Sequence, residues 1–334
     1  MDNSAKEIVF TDTGCNFCDH AKIEYKKVLN NNQFKQEEVT QYIDKSKQYD
    51  CLIGLSGGVD SSYALARAVS LGFRPLCFSI DTGYNKPEAD ENIMKLVEGL
   101  KVPFYRYTID LKKFKELQSA FIHAGLKNIE IPTDHVLMAA TYEMAAKYGI
   151  KTIISGGNVA TESIMPPSWG YNARDLTHIK SVYKWYTGKR LTGLPMCSVW
   201  KWNWYRWVKK IKIVYPLDYV VYDRAIAEKY LIEKFGYKST GDKHEENYFT
   251  WWFQNFYLFE KFGIDKRKPH YSSMIVSGQM TRQEALDKLT ASPIFPELGI
   301  ENKVLKYKNR EHEEFAMDPW YDRIAWLVKK LKWK

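Results

Sequence analysis

The sequence lacks the features of a membrane or secreted protein. No stretch approaches the roughly 20 apolar residues that a membrane span needs, and Met1 to Lys6 have no apolar core of a signal peptide. Cysteine is scarce, with five in 334 residues. An odd number of cysteines in a long chain without an export signal favours free thiols or metal ligands over a disulfide framework. We therefore expect a cytoplasmic protein with no membrane span.

Acidic residues are in the minority. The chain has 49 lysines and arginines against 40 acidic residues, a formal net charge of +9. This excess favours an anionic partner, and nucleotides, nucleotide sugars, RNA and anionic lipids all qualify. The sequence has no internal repeat or low-complexity tract, and 45% of its residues are hydrophobic. Such a chain can bury a sizeable core, as one large domain with additions or as two domains.

A glycine-containing loop between a predicted strand and a predicted helix is the most informative stretch. The apolar run Cys51 to Leu55 predicts a buried strand, and Tyr63 to Val69 has apolar residues at helical spacing. The loop between them reads Ser56-Gly57-Gly58-Val59-Asp60-Ser61-Ser62. It has neither the lysine of a Walker A motif nor the G-x-G-x-x-G spacing. Glycines and hydroxyls at a helix N-terminus predict an anion-binding site, and the alternative is an ordinary capped Gly-Gly turn.

Strands and helices alternate after this loop. The predicted strands are Pro75 to Ile80, Val102 to Ile109 and Ile150 to Ile154, and the predicted helices are about Ala89 to Leu100 and Asp134 to Tyr148. This alternation predicts an α/β fold with a parallel sheet flanked by helices, in which ligands bind beyond the carboxyl ends of the strands. Small and polar residues follow two of these strands, namely Asp81, Thr82, Gly83 and Ser155, Gly156, Gly157, Asn158.

The pattern weakens between Val159 and Pro216. The stretch Pro166 to Gly170 indicates a loop that crosses the mouth of the predicted site. Four tryptophans, interleaved with lysine and arginine, lie within residues 200–207 of a basic stretch at 198–212. Such a stretch is compatible with a membrane surface, with RNA, with a docking partner, or with a helix buried on its tryptophan face.

The C-terminal region is predicted to be mainly helical, with aromatic residues concentrated in one element. The predicted helices are Tyr222 to Phe235, Glu245 to Phe262, Arg282 to Leu289 and 320–333, and Thr281 with Glu284 forms a capping box. A basic, hydroxyl-bearing group suits a phosphate or a carboxylate, although a solvated basic loop is the alternative. Its members are Arg267, Lys268, His270, Ser272 and Ser273.

The N-terminal segment carries one C-x-x-C pair, Cys15 and Cys18. Two thiolates at this spacing form half of a structural zinc site, which needs four ligands. His20 and Cys197 are candidates for completing it, and two unliganded cysteines are the alternative. We predict three parts: a segment with this half zinc knuckle at 1–30, a nucleotide-binding domain at 31–216, and a helical region for substrate or partner at 217–334.

The loop from Ser56 to Ser62 resembles the SGGxDSS signature of PP-loop ATP pyrophosphatases, which have a HUP-like nucleotide domain. Over nearly the whole chain the sequence is similar to the N-acetyl sugar amidotransferases of bacterial O-antigen and surface-glycan biosynthesis. Besides the loop, the resemblance rests on Ile8 to Cys18, Ser155 to Asn158 with Thr161 and Glu162, and Gln254 to Leu289. That family usually carries a further C-x-x-C pair upstream, and Met1 to Ser4 resemble the residues that follow it.

The resemblance implies a reaction. ATP, with Mg²⁺, would adenylate the acetamido oxygen of a nucleotide-linked N-acetyl sugar and release pyrophosphate into the loop. Ammonia would then displace AMP to give an acetamidino sugar. The implied catalytic residues are Asp60, Ser61 and Glu162. The implied nucleotide-binding residues are Ser56, Gly57, Gly58, Asp60, Ser61, Ser62, Asp81, Gly83, Gly156, Gly157 and Asn158, with Arg267, His270, Ser272 and Ser273 at the sugar or its diphosphate.

No cysteine lies in a nucleophile elbow or at the first position, so the sequence predicts no glutaminase of its own. The resemblance implies a separate glutaminase and a cyclase-like partner, both similar to the histidine-pathway pair, as the ammonia source. One alternative is a tRNA-modifying PP-loop enzyme, against which the chain shows no recognisable RNA-binding module. The other is a non-catalytic ATP-binding scaffold.

Overall fold

The computed structural model describes residues 1–12, 14–32 and 36–319, so the helix predicted at 320–333 lies outside the described residues. Two short strands near the N-terminus pair antiparallel, and five later strands form the main sheet. In chain order the strands are β1 (Phe10–Thr11), β2 (Gly14–Cys15), β3 (Cys51–Gly54), β4 (Pro75–Ile80), β5 (Phe104–Tyr107), β6 (Thr152–Ile154) and β7 (Lys212–Val214).

The main sheet is parallel throughout, with the strand order β5-β4-β3-β6-β7. The chain therefore builds outward from β3 in one direction, through β4 and β5, and then returns to add β6 and β7 on the other side. Such a reversal opens a crevice at the carboxyl ends of the two central strands. The predicted fold class is confirmed, whereas β7 was not predicted because three residues after a tryptophan-rich run carry no readable period.

Helices cover both faces of the sheet and form the C-terminal region. They are α1 (Asn16–Asn32), α2 (Gln36–Thr40), α3 (Val59–Ser70), α4 (Pro87–Leu100), α5 (Leu111–Ala124), α6 (Ile131–Lys147), α7 (Val159–Glu162), α8 (Leu176–Thr187), α9 (Val199–Trp207), α10 (Arg224–Phe235), α11 (Tyr248–Trp252), α12 (Leu258–Phe262), α13 (Arg267–Val276), α14 (Arg282–Thr290) and α15 (Glu301–Val304). A π-helical turn, Phe253–Tyr257, joins α11 to α12, and 3-10 turns lie at Pro167–Trp169, Pro216–Tyr219 and His312–Glu314.

Two of the longer helices, α5 and α8, were not predicted. Each begins after an aspartate whose side chain accepts a hydrogen bond from a backbone amide in the first turn, at 2.9 Å from Lys113 N to Asp110 and 2.9 Å from His178 N to Asp175. An aspartate before an apolar run is a helix-start signal, so these helices were readable in principle. The predicted capping box of Thr281 and Glu284 at the start of α14 is confirmed.

Alternate side chains of the central strand enter two different apolar cores. Cys51 and Ile53 pack with residues of α3, α4 and α10 on one face. Leu52 packs with residues of α6 and α9 on the other. A strand that is apolar on both faces is typical of a parallel sheet covered by helices on both sides. Packing on both faces holds β3 in place and so positions the loop that follows it.

Most aromatic rings of the element at Tyr248–Phe262 are buried, as its composition predicts, although Tyr248 is 36% exposed. Its fully enclosed members include Trp252, 0% exposed, and Tyr257, 0% exposed, whose hydroxyl donates to the carbonyl of Leu126 at 2.8 Å. These rings share one core with apolar residues of α5 and α8. The C-terminal region is therefore packed against α5, which precedes β6, and α8, which follows it. The division at 1–30, 31–216 and 217–334 stays a prediction.

The basic stretch at 198–212 contains the helix α9 and the first residue of β7, and α9 buries only part of its tryptophan set. Trp202 and Tyr205 are 3% and 4% exposed, whereas Trp200, Trp204 and Trp207 are 61%, 43% and 56% exposed. The tryptophans occur at nearly every second position, while a helix repeats every 3.6 residues, so they are distributed over both faces. Among the described helices, none has the length and apolar character needed to cross a bilayer.

Candidate active site

A cavity of about 680 Å³ opens at the carboxyl ends of β3 and β6, where the strand order reverses. Predicted residues that line it are Ser56, Gly58, Asp60, Ser61, Gly156, Gly157 and Glu162. Pockets for small molecules commonly have volumes of about 300–1,000 Å³. The topology and the predicted glycine loops therefore indicate the same place.

The first glycine loop is held in a tight turn against α4. Gly57 has φ of +80°, and a Cβ there would lie 2.3 Å from the carbonyl oxygen of Ala89, so glycine is required for both backbone angle and space. Ser56 and Ser61 close the loop, because their hydroxyl oxygens are 3.1 Å apart. The Gly58 amide donates to the Ser56 hydroxyl at 3.2 Å. Helix N-termini bind anions through their first backbone amides, so the position of this loop at the start of α3 is compatible with the predicted anion site, which stays a prediction.

The second glycine loop touches the first through the backbone. A Cβ on Gly156 would lie 2.7 Å from the amide nitrogen of Ser61. Asn158 does not line the cavity wall; its side chain caps α7 by accepting from the Thr161 amide at 2.9 Å. The two loops therefore form one surface, and Asn158 orients the short helix that carries Glu162.

Asp60 lies within this surface and is ionised. Its carboxylate accepts hydrogen bonds from the Tyr222 hydroxyl and from the Lys243 ammonium, the latter at 2.7 Å. Burial alone would raise the pKa of Asp60, but the Lys243 charge and these hydrogen bonds outweigh it and lower the pKa below its ordinary value. The carboxylate is thus kept charged inside the protein.

Lys243 is the central cation of the site, and the sequence reading missed it. Its ammonium lies 2.7 Å from Asp60, 2.6 Å from the Thr161 hydroxyl and 2.9 Å from Glu162. An ammonium has three N–H donors, so all three have an acceptor. Burial lowers the pKa of Lys243, yet Asp60 and Glu162 raise it above its ordinary value, which keeps the side chain charged. One residue therefore connects both glycine loops to the C-terminal region.

Two histidines lie beside Glu162. His244 Nε2 is 3.8 Å from the Glu162 carboxylate, and the ring centres of His244 and His270 are 5.5 Å apart. Burial lowers the pKa of His244, and burial together with His244 lowers that of His270 well below the ordinary value. Both rings are therefore neutral near pH 7, and the buried His270 Nε2 makes no hydrogen bond with the described residues.

The segment 241–247 covers the mouth of the loop. Glu246 accepts a hydrogen bond from the Ser56 hydroxyl at 3.1 Å, and its backbone carbonyl accepts from the Lys86 amide at 2.9 Å. Arg224, which also lines the cavity, donates to the Gly241 carbonyl at 3.0 Å. The sequence of this segment, Gly-Asp-Lys-His-Glu-Glu-Asn, has no apolar residues at helix or strand spacing. Its density of charged residues was the sequence feature that could have indicated a role at the site.

The wall of the cavity formed by α6 has a different chemistry. Glu130 accepts a hydrogen bond from the Thr250 hydroxyl, and Asp134 and Lys266 line the same cavity. Burial and the nearby Asp134 raise the pKa of Glu130 to about 8, and burial raises that of Asp134 to about 6. The Asp134 side chain is exposed and lines the cavity. Burial lowers the pKa of Lys266 to about 8, despite the two carboxyl groups.

Three predicted nucleotide-binding residues, Ser62, Asp81 and Gly83, do not line the cavity. Ser62 is 1% exposed, and the Asp81 carboxylate accepts from the Gly83 amide at 2.7 Å within the turn after β4. In that turn, Thr82 is the residue that lines the cavity. Asp81 and Gly83 therefore shape the turn, and their role at a nucleotide stays a prediction.

The predicted sugar-binding group does not converge on the cavity. It lies on a helix, α13, and Arg267 is paired with Asp265 at 2.8 Å while also donating to the Ala291 carbonyl at 2.9 Å. Ser273 donates to the Pro269 carbonyl at 2.9 Å, and Ser272 accepts from the Met1 amino group at 3.0 Å. Of the four predicted residues, His270 alone approaches the rest of the site, with its Nδ1 at 3.4 Å from the Thr161 carbonyl oxygen.

The two N-terminal cysteines are neighbours. Burial and a hydrogen bond with Cys15 raise the pKa of the Cys18 thiol to about 11, so it is protonated near pH 7. Structural zinc requires four ligands, usually cysteine and histidine. In the parts of the chain that the structure describes, no three His, Cys, Asp or Glu side chains are grouped to hold a metal, so neither Cys197 nor His20 completes this pair.

Comparison with known proteins gives one family match and several structural likenesses. Residues 246–333 match the family described as LPS biosynthesis protein WbpG-like, C-terminal domain. The comparison with curated proteins gives no match. An NMN synthetase from Francisella tularensis is 15% identical, with 81% of this chain and 91% of that chain covered, at a TM-score of 0.39.

Two further solved structures are similar over shorter spans. The NH3-dependent NAD synthetase from Campylobacter jejuni, solved with nitrate, is 18% identical, with 41% of this chain and 58% of that chain covered, at a TM-score of 0.29. The predicted subunit of a tRNA methyltransferase from Methanocaldococcus jannaschii is 16% identical, with 55% and 76% covered, at a TM-score of 0.32.

The family match begins at Glu246, the residue whose carboxylate bonds to Ser56 of the first glycine loop. It continues through the aromatic helices that pack against α5 and α8. The protein thus combines a five-stranded parallel sheet with a C-terminal region, residues 246–333, that matches the family described as LPS biosynthesis protein WbpG-like, C-terminal domain.

Proposed function

We propose that this protein is an ATP-dependent amidotransferase that converts the acetamido group of a nucleotide-linked N-acetyl sugar into an acetamidino group. The acetamido oxygen attacks the α-phosphorus of ATP, and pyrophosphate leaves. Ammonia then attacks the carbon that bears this oxygen, and the C–O bond to AMP breaks. The observation that carries this proposal is one cavity that has an anion-binding loop on one wall and neutral or weakly acidic carboxyl groups on another.

The loop wall suits the triphosphate. Backbone amides at the start of α3 and two cations, Arg224 and Lys243, face the same space. Mg²⁺ at phosphoryl-transfer sites is commonly held by one or two carboxylates together with the phosphates. Asp60 and Glu246 are carboxylates at the loop, so the residues fit this ion, and its chemistry there would be to neutralise the leaving pyrophosphate.

The α6 wall suits a polyhydroxy acceptor. Because its pKa is about 8, Glu130 is mainly protonated near pH 7 and donates a hydrogen bond, whereas Asp134, with a pKa of about 6, is mainly ionised and accepts one. Asn128 and Gln254 line the same cavity and offer both amide donors and carbonyl acceptors. Such a set matches hydroxyl groups and a neutral acetamide better than it matches an apolar base.

The residues between these walls would position the reacting groups. Lys243 is aimed at the junction of both loops and is well placed to stabilise negative charge on the transferred phosphoryl group. Glu162 and the neutral His244 lie beside it, where the attacking ammonia must release a proton. Glu162 is therefore the proposed base, and His244 its proposed relay.

Ammonia supply is part of the proposal. A separate glutaminase with a cyclase-like partner would provide it. In that case glutamine should support turnover only when both partners are added, whereas ammonium salt should support turnover by the isolated chain.

The decisive experiment mixes the protein with ATP, Mg²⁺, ammonium salt and a panel of nucleotide-linked N-acetyl sugars. Mass spectrometry should find oxygen replaced by NH in one sugar, in equal amount to the AMP formed. AMP formation in the presence of tRNA, but with none of the sugars, would instead support the tRNA-modifying alternative. ATP binding without AMP formation on any acceptor would support the scaffold alternative.

A further inference from the structure

One face of α9 exposes large aromatic side chains in a continuous row. Trp200, Trp204 and Trp207 are spaced by four and three residues, so they lie on the same side of the helix. They are 61%, 43% and 56% exposed, and the adjoining Val208 is 64% exposed. Exposed apolar groups that are contiguous in this way mark interaction sites.

Cations surround this row without acidic residues among them. Arg206, Lys209 and Lys210 are exposed, and Lys209 Nζ lies 4.9 Å from the ring centre of Trp204. Residues 198–217 contain no aspartate or glutamate. Lys201, also on this helix, pairs with the Glu143 carboxylate at 2.6 Å.

The basic surface continues along the amino-terminal edge of the sheet. The end of α9 leads into β7, which begins at Lys212, and a concavity of about 900 Å³ lies at this edge. Five lysines line it, together with Asp44 and with Asp50, which is paired with Arg74. These lysines are Lys45, Lys47, Lys151, Lys210 and Lys212. All strands of the sheet run the same way, so this edge is opposite the glycine loops.

We propose that this Trp–Lys surface, formed by Trp200, Trp204, Trp207, Val208, Lys209 and Lys210, binds the anionic face of a lipid bilayer. Tryptophan has an apolar ring and a polar N–H, which suits the headgroup region, and neighbouring lysines attract lipid phosphates. The glycine loops would then face away from the membrane, so binding and turnover can proceed together.

Two other occupants are less well matched to the surface. Protein interfaces are depleted in lysine, whereas lysine is concentrated here. An RNA substrate would have to reach the glycine loops, yet no residue of α9 lines the cavity that contains them. A bilayer fits the surface without a lysine-poor interface and without access to the glycine loops, because it is a continuous anionic plane with an apolar interior.

The test is flotation of the full chain with phosphatidylcholine vesicles, with and without phosphatidylglycerol. The protein should float with the anionic vesicles and remain behind with the neutral ones. High salt should weaken the association, because it screens charges at the surface. Equal flotation with both vesicle types, or none with either, would overturn the proposal.

Two variants separate the aromatic and the cationic contributions. The triple variant Trp200→Ser, Trp204→Ser, Trp207→Ser should bind anionic vesicles at least about tenfold more weakly, because it loses the apolar rings that are buried in the headgroup region. The double variant Lys209→Glu, Lys210→Glu should weaken binding by a similar factor, since one charge near such a surface changes partitioning roughly fivefold. Circular dichroism should show unchanged melting for both variants, and their AMP formation should equal that of the wild type.

A matched control has the same change of charge elsewhere. Lys27 and Lys229 are exposed helix residues, with side chains 63% and 77% exposed. The double variant Lys27→Glu, Lys229→Glu should bind vesicles as the wild type does. If it loses as much binding as the variant at 209 and 210, net charge and not the Trp–Lys surface is responsible. Tight RNA binding that vesicles do not displace, lost in the triple tryptophan variant, would also overturn the proposal.

Discussion

Replacing Lys243 by methionine tests the site most directly. The substitution keeps most of the side-chain volume but removes an ammonium that lies 2.7 Å from Asp60 and 2.9 Å from Glu162. The Lys243 and Asp60 side chains are 11% and 18% exposed, so this pair is largely buried. Removing one partner of a buried pair costs about 3 kcal/mol of unfolding free energy, because a charge is left without compensation.

The same substitution should reduce turnover. In the proposed reaction Lys243 stabilises the transferred phosphoryl group, a role comparable to that of an oxyanion-hole donor, whose loss lowers kcat by about 10²–10³-fold. Turnover is measured as AMP released, and stability as the midpoint of urea denaturation. Activity should be assayed without urea and at a temperature at which the variant is folded, so that the loss of turnover is separated from the loss of stability.

Lys238 provides the matched control for this experiment. Its ammonium lies 2.6 Å from Glu91, but these side chains are 52% and 48% exposed. Lys238→Met should therefore leave both the urea midpoint and AMP formation close to those of the wild type, because exposed ion pairs contribute little to stability. If Lys243→Met were as stable and as active as Lys238→Met, the assignment of Lys243 as the central cation of the site would be refuted.

Three further variants test other parts of the site. Asp60→Asn should lower AMP formation at least about 100-fold in a folded protein, because a neutral amide cannot compensate the adjacent ammonium; wild-type turnover would contradict this. Glu130 has a raised pKa, so the folded state binds more protons than the unfolded state between about pH 5 and about pH 8, and stability falls as the pH rises through that window. Urea midpoints across the window should fall less for Glu130→Gln than for the wild type. Gly156→Ala, whose Cβ would lie 2.7 Å from the Ser61 amide nitrogen, should cost about 2 kcal/mol. Gly170→Ala, with its nearest neighbour at 3.8 Å, should cost much less in the same denaturation assay.

The sheet and the first glycine loop could be read from the sequence because their signals are local. A buried strand, two glycines and a helix start occupy consecutive positions between Cys51 and Ser70, and each follows from backbone preference and apolar spacing. The second glycine loop was readable for the same reason. Its contact with the first, through Gly156 and Ser61, follows from the pairing of β3 with β6.

The contribution of the C-terminal region could not be read in this way. Arg267 and Ser273 are close in sequence to His270, but a helix directs them to other neighbours, and Arg267 is neutralised by Asp265. Conversely, Lys243 lies more than 180 residues from Asp60, and nothing in either local sequence indicates their pairing. Sequence proximity was therefore a poor guide to which side chains share the site.

These long-range contacts make the site composite. Lys243 bonds to Asp60 at the first loop and to Glu162 on α7, the helix that follows the second loop. Glu246, where the family match begins, bonds to Ser56. The sheet domain alone would leave Asp60 buried without its cation. We therefore infer that the first glycine loop reaches its observed geometry only when the segment that carries Lys243 and Glu246 is packed against it.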